Sequence, residues 1–381
     1  MKNERTILPP FRSRFPLGLV TLALAAALTA CGDDESPVSV DASSDTTVES
    51  DVFDAGADVL DSTGNLDGVS DVPVEVVTRL DCPGITEFPF ELTVAEGAWA
   101  SAANGALVEA SNRDKSEYGD VYVNPGMDQQ LSGILAVGTS GLEQTTLAGE
   151  VVSFWTWEGE QWVSLGESTT AGDGEWSIDL GARFGQGSHE VYAVFEAGRS
   201  CYTHRLAVWP EGTQFVLTDI DGTLTLSDDE LFAEIEDPDY DQQMKGNAVE
   251  LMQAWADKGY GLVYLSARPR DFRPMTDAWR LRHRYPAGMV MLSDGLVFGS
   301  TAQEYKATFI STLLDDLGWS ITAAYGNATS DIDGYNDAGV PKEITFIIGE
   351  NAGVDGTNAI ADDDYGDHIE TFVAESPEST N

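Results

Sequence analysis

Basic residues are scarce in this chain: 20 Lys and Arg stand against 65 Asp and Glu in 381 residues, a formal charge of −45. So one-sided a surface repels polyanions, which excludes nucleic acid as a general partner and disfavours a bare anionic membrane. Cysteine is scarce too, with three, at positions 31, 82 and 201, so at most one pair can close within the chain. Long hydrophobic runs are missing: the apolar stretch from Leu17 to Leu28 is too short for a membrane span. Internal repeats are missing as well. What is present is enough apolar material, 42% of residues, to bury ordinary cores, in a length that suggests two or three domains.

The N-terminus combines a basic segment (Lys2, Arg5, Arg12, Arg14), the apolar stretch just named, and Leu28-Thr29-Ala30-Cys31. This order resembles the bacterial lipoprotein signal, which implies removal of residues 1–30 and lipidation of Cys31. The implied location is the bacterial cell envelope, lipid-anchored on its periplasmic or cell-surface side. The alternative is an uncleaved anchor with an incidental cysteine. From Cys31 to about Thr78 there is no Lys or Arg. Low hydrophobicity and one sign of charge predict a disordered acidic tether over 31–79, with calcium binding by its irregularly spaced aspartates as the lesser alternative.

Residues 80–211 read as short alternating runs between Gly, Asn and Asp clusters, among them Val151–Trp157, Trp176–Ile178 and His189–Phe195. The period of two predicts an all-β, immunoglobulin-like sandwich whose tryptophans pack the core rather than form a sugar platform. With Cys31 assigned to lipid, Cys82 and Cys201 bracket this domain. They are expected either as a disulfide in an oxidising compartment or as two buried thiols.

From residue 212 to 375 the rhythm changes to strand and helix in alternation, which predicts an α/β, Rossmann-like parallel sheet. Expected strands lie at Phe215–Leu217, Tyr260–Leu265, Met289–Leu292, Ile321–Tyr325 and Ile344–Ile348. Expected helices carry Ala248, Leu251, Met252 and Trp255, then an arginine-rich segment, then Phe309 to Leu317, with a last short helix around His368 to Val373.

The chemistry collects at the strand ends. Asp219 and Asp221 follow the first strand, and Gly222 permits a sharp turn. Two carboxylates so close call for a divalent cation or a shared proton, and magnesium would leave one as nucleophile and the other as acid/base. Ser266 follows the second strand, suited to donate to a phosphoryl oxygen. Lys306, placed at the start of the helix after the third strand, is suited to bridge phosphate and nucleophile. Asp331, with Asp333 as the alternative, follows the fourth as a metal ligand beside Asp219 and Asp221. Thr223, Arg268, Arg270 and Asn327, in the same stretches, are expected to bind substrate. Each has an ordinary reading as a cap or a solvated charge; their succession in order is what argues for a site.

The stretch Asp219-Ile-Asp-Gly-Thr-Leu-Thr resembles the first motif of the haloacid dehalogenase-like phosphatases, and Asp219 through Asp228, Tyr264-Leu-Ser-Ala-Arg268, Met275-Thr276, Pro286 to Gly295, and Tyr325-Gly-Asn through Asp331 to Pro341 together resemble the catalytic domain of the lipins. They are also similar to the related domain at the end of certain phosphatidylinositol transfer proteins. The resemblance covers about 212–350. It implies a small or absent cap, a magnesium cofactor, Asp219 as nucleophile, Asp221 as general acid/base, and phosphatidate as substrate. The lipins' amphipathic N-terminal segment is missing, so attachment to the membrane falls to Cys31. The transfer-protein relatives are thought to bind phosphatidate without the aspartate pair, which is present here. Three functions are therefore expected in competition: a phosphatase for phosphatidate or a similar anionic phospholipid, an envelope phosphatase for soluble phosphomonoesters, and a non-catalytic lipoprotein that binds anionic lipid. Six arginines between 268 and 284 are expected to serve the first, with Arg268 and Arg270 on the substrate and Arg280 to Arg284 against surrounding lipid.

Overall fold

Alternating apolar residues build the first layer, as expected for strands with one face buried. The structure, a computed structural model, describes Leu80 and residues 91–381; the signal, Cys31, the tether and Cys82 lie outside the described residues. Helix α1 (Ala102–Ala110) is capped by Ser101, whose hydroxyl accepts the amide of Asn104 at 3.2 Å. Eleven short strands follow: β1 (Arg113–Asp114), β2 (Glu117–Tyr118), β3 (Val121–Val123), β4 (Gln130–Ile134), β5 (Ala136–Gly138), β6 (Thr145–Thr146), β7 (Val151–Glu158), β8 (Gln161–Thr169), β9 (Glu175–Asp179), β10 (Gly187–Phe195) and β11 (Ser200–Val208). The largest sheet has the order β3-β11-β10-β7-β8, antiparallel except where β3 runs parallel to β11. On its inner face Val191, Ala193 and Phe195 meet Phe154, Trp176 and Leu206. On its outer face Tyr192, Val194 and Cys201 are covered by Leu80, Leu92 and Val94. Trp176 is core, as expected, while Trp155 and Trp162 pack half-buried on the outer face.

The second layer is a six-stranded parallel sheet, order β14-β13-β12-β15-β16-β17. Its strands are β12 (Gln214–Thr218), β13 (Gly261–Pro269), β14 (Met289–Ser293), β15 (Ser320–Gly326), β16 (Thr345–Ile348) and β17 (Asn358–Ile360). Phe215-Val216-Leu217 is continuously apolar because both faces are covered. Val216 packs toward Leu251, Met252 and Trp255 of helix α3 (Ala248–Asp257). Phe215 and Leu217 pack toward Phe309, Ile310 and Leu313 on and beyond helix α5 (Ser300–Ser311). Helices α2 (Asp229–Glu236), α4 (Arg273–Arg282) and α6 (Thr329–Asp337) complete the layer, with a short helical segment at 366–373.

A polar seam joins the two layers. Lys115 donates to Asp271 at 2.7 Å, the Tyr118 hydroxyl to Asp277 at 3.0 Å, and Asn124 to the Leu317 carbonyl at 3.0 Å. The buried Asp120 accepts from Arg273 at 3.0 Å and from the Val290 amide at 2.7 Å. Residues 75–381 accordingly cluster as one unit.

Candidate functional site

All strands of the second sheet run parallel, so their C-terminal ends share one edge, and every residue of the candidate site sits on it. The Asp219 amide extends the β12–β15 ladder by bonding the Tyr325 carbonyl at 3.0 Å, which fixes the direction of its carboxylate. Gly222 then turns the chain with φ 66°, and a Cβ there would lie 2.1 Å from the amide nitrogen of Asn327. The positive φ favours glycine there, and any Cβ would also have to displace the Asn327 side chain.

Lys306 is the hub. Its ammonium donates to Asp219 Oδ1 at 2.8 Å and to Asp331 Oδ1 at 2.5 Å, and all three side chains are buried. It stands two turns into α5 rather than at the helix start expected from sequence, because α5 already begins at Ser300. Asp331 serves twice: its other oxygen accepts the amides of Asn327 at 3.0 Å and Ala328 at 2.9 Å, closing the first turn of α6. The cap and the site are thus one carboxylate. Burial raises the Asp219 pKa, the Lys306 ammonium opposes this, and the Asp331 and Asp221 carboxylates add to it. Burial alone would lower the Lys306 pKa, but Asp219 and Asp331 outweigh it and hold the amine charged.

Asp221 faces a second cation. Arg268 Nε lies 3.0 and 2.9 Å from its two oxygens and Nη2 lies 2.8 Å from Oδ1, while the Ser266 hydroxyl donates to Oδ2 at 2.9 Å. Arg268 is itself held by Gln242 Oε1 at 2.8 Å and Thr276 Oγ1 at 3.2 Å. Ser266 and Arg268, expected on the substrate, are therefore turned onto Asp221. Thr223 Oγ1 lies 3.3 Å from Asp219 Oδ2 and 3.2 Å from Asn327 Oδ1, and the Asn327 amide reaches Asp228 at 3.4 Å. Arg270, about a third exposed, pairs with Asp294 at 2.8 Å beside the site. Asp331, not the alternative Asp333, stands at the centre of this network.

One expectation is overturned. Arg280 does not face outward to meet lipid: it is 3% exposed, stacked over the Tyr264 ring at 4.0 Å and bonded to the Pro286 carbonyl at 3.1 Å. Arg282 is exposed but committed to Asp241 at 2.6 Å. Sequence reasoning missed Gln242, which holds Arg268, because a glutamine in unremarkable surroundings carries no local signal; Thr276 lay within a stretch that carries the resemblance, but its hold on Arg268 was not foreseen.

Among the described residues no three His, Cys, Asp or Glu side chains already enclose a metal-sized gap. The donor chemistry nevertheless suits magnesium. Asp219, Asp221, Asp228 and Asp331 bring hard carboxylate oxygens against only Lys306 and Arg268, an imbalance that a divalent cation would offset. Asp221 could join such a site only by releasing Arg268.

Similarity to known proteins extends over more of the chain than this layer alone. Mouse membrane-associated phosphatidylinositol transfer protein 3 is 30% identical over 215 residues, 55% of this chain and 21% of the relative. The Drosophila melanogaster protein retinal degeneration B is 28% identical over 256 residues, 66% of this chain and 19% of the relative. The chain thus spans about a fifth of the length of these relatives. Among solved structures, a chain of the Pnkp1/Rnl/Hen1 complex aligns over 35% of this chain and 46% of its own at 14% identity, with a TM-score of 0.29, too low to bear on the fold. The segment that carries Asp219, Ser266, Lys306 and Asp331, residues 216–349, matches the family model of the PITM 1-3, LNS2 domain.

Proposed function

We propose that this chain is a magnesium-dependent phosphatase that works through an aspartyl-phosphate on Asp219 and acts on phosphatidate or a similar lipid phosphate. The observation that carries the reading is the buried Asp219–Lys306–Asp331 array beside Asp221 at the open end of the sheet. Asp219 attacks phosphorus, the bond from phosphorus to the leaving oxygen breaks, and Asp221 supplies the proton that the leaving oxygen takes up. Water then attacks the aspartyl-phosphate, its proton returns to Asp221, and phosphate and free Asp219 result. Lys306 holds charge next to the nucleophile throughout, and the Thr223 hydroxyl can turn from Asp219 to a phosphoryl oxygen. Magnesium, held by Asp219 and Asp331 and by Asp221 once Arg268 releases it, would supply compensation for the charge on the transferring phosphoryl group.

The lipid as substrate is supported by the relatives, which are named as membrane-associated phosphatidylinositol transfer proteins. The same names, together with Arg268 occupying both oxygens of Asp221, favour a second reading in which the site binds anionic lipid without turnover. Attachment through lipidated Cys31 in a bacterial envelope, an immunoglobulin-like first domain and a Cys82–Cys201 disulfide belong to the proposal. Phosphate release from phosphatidate vesicles and from p-nitrophenyl phosphate, with magnesium and with EDTA, is the test. Turnover of phosphatidate that needs magnesium and vanishes in Asp219→Asn is the expected result. Turnover of the small ester alone would assign a soluble substrate, and binding of phosphatidate without any release would assign the second reading.

A further inference from the structure

Eight large apolar side chains stand exposed among the described residues: Trp99, Leu107, Leu142, Leu226, Leu281, Leu296, Phe298 and Val354. Scattered single apolar residues are ordinary on a protein surface. These are not scattered evenly. Leu226 follows β12 and Leu296 and Phe298 follow β14, so three of the eight lie in loops at the one edge of the parallel sheet that also carries Asp219, whereas Val354 stands in the return to β17, beside Asp355, which Lys342 holds at the opposite end of β16. Phe298, at 51%, is the most exposed of all eight.

The loop after β14 is built as a protrusion. It reads Asp294-Gly-Leu-Val-Phe-Gly299, an apolar tip between two glycines with no neighbouring atoms around either position where a Cβ would stand. It runs directly into α5, and from Ser300 to Lys306 the helix rises about 9 Å. The apolar side chains of an interfacial segment sink roughly 5–10 Å into the boundary between headgroups and acyl chains. A tip at that depth would hold Lys306 and Asp219 at the level where a lipid's phosphate lies.

We infer that Leu296 and Phe298, with Leu226, form an apolar rim that seats the mouth of the site on a lipid bilayer. The rim's charges do not attract an anionic surface: Arg270 is matched by Asp294 and Arg282 by Asp241. Docking is therefore driven by apolar insertion and is insensitive to salt. It rests on the lipid-phosphate reading for its purpose, but its test needs no turnover.

The full chain carrying Cys31→Ser, which removes any acyl anchor, is floated with vesicles of phosphatidylcholine alone and of phosphatidylcholine with phosphatidate. The parent floats with both. Leu296→Ser combined with Phe298→Ser reduces partitioning roughly tenfold or more, because two large side chains lose their burial in lipid. The double variant keeps the parent's thermal midpoint and its rate on any small phosphoester the parent hydrolyses, and Leu107→Ser, on α1, floats normally. A parent that stays in solution, a double variant that floats like the parent, an equal loss from Leu107→Ser, or flotation abolished by high salt would each overturn the inference. A chain that docks but releases no phosphate from either substrate leaves the rim standing and removes the phosphatase reading.

Discussion

Lys306 is the residue whose loss would be felt most widely. It is buried and neutralises two buried carboxylates, so Lys306→Met leaves Asp219 and Asp331 without their shared counter-charge. The expected cost is roughly 3–5 kcal/mol of unfolding free energy together with loss of phosphate release. Urea titration checks the first, and adding Asp219→Asn and Asp331→Asn to the variant should recover part of it. Unchanged stability in the single variant would mean that the array is solvated. His204 makes a pH prediction. It is fully buried, its Nδ1–H donates to the Gly119 carbonyl at 2.7 Å, and its Nε2 has no hydrogen-bond partner among the described residues. Tyr118 and Trp176 rings flank it, Asp120 and Asp277 favour its charged form, and Arg273 opposes it, but burial dominates and lowers its pKa to about 4. Because the folded value lies below the unfolded one, the unfolded chain takes up the proton first. The neutral imidazole's contribution is whole above about pH 6.5 and is lost as pH falls toward 4, on the order of 3 kcal/mol. The stability difference between the parent and His204→Asn should shrink over that window; a difference that stays constant with pH would show that His204 does not titrate apart from the unfolded state. At this scale Asp219, Asp221 and Ser266 were legible because each lies at the end of an apolar run, and Lys306 because it lies on the helix that follows the third strand. The second contacts were not: nothing in sequence relates Gln242 to Arg268, 26 positions away, or shows that Arg268 turns back onto Asp221.

Elements were legible where burial imposes a clean period. The apolar runs of β12, β13, β14, β15 and β16 all lie where expected, and α3 presents the expected face of Ala248, Leu251, Met252 and Trp255. Strand β17 was missed because three residues, Asn358-Ala-Ile, set no period, and α2 was missed because its buried residues include Glu230 and Glu234. The two-residue strands β1, β2 and β6 are defined by their partners alone. Helix α4 is the instructive case. Its arginines looked like a solvated or lipid-facing set, yet Arg273 and Arg280 are buried, since the first layer supplies Asp120 and Tyr118 to meet Arg273 and Asp277. Asp120→Ala should consequently destabilise the protein by roughly 3–5 kcal/mol, because it leaves the Arg273 guanidinium short of a counter-charge and two buried amides, of Arg205 and Val290, without an acceptor. Chemical denaturation measures this directly, and a cost below about 1 kcal/mol would place Asp120 among solvated surface pairs.

At the scale of the whole molecule, the change of rhythm near residue 212 suggested two modules, and the seam argues for one thermodynamic unit. Buried charge crosses it at Lys115–Asp271 and Asp120–Arg273, and aromatic contact crosses it where Trp209 meets Trp319 with ring centroids 4.9 Å apart. Separating the layers would expose these groups unpaired to each other, so an intermediate with one layer folded is disfavoured against both end states. Residues 75–381 should therefore unfold in a single transition. Tryptophan emission, which reads Trp155 and Trp176 in one layer and Trp255 and Trp279 in the other, should coincide with far-UV circular dichroism along a urea gradient. Asp120→Ala should move that one transition as a whole, including the part reported by the parallel sheet, although Asp120 itself lies in the first layer. Two separated transitions, or a variant in which only the first layer melts early, would show that the layers are merely adjacent, and would leave the array at the sheet's edge able to form without the strands that now brace α4.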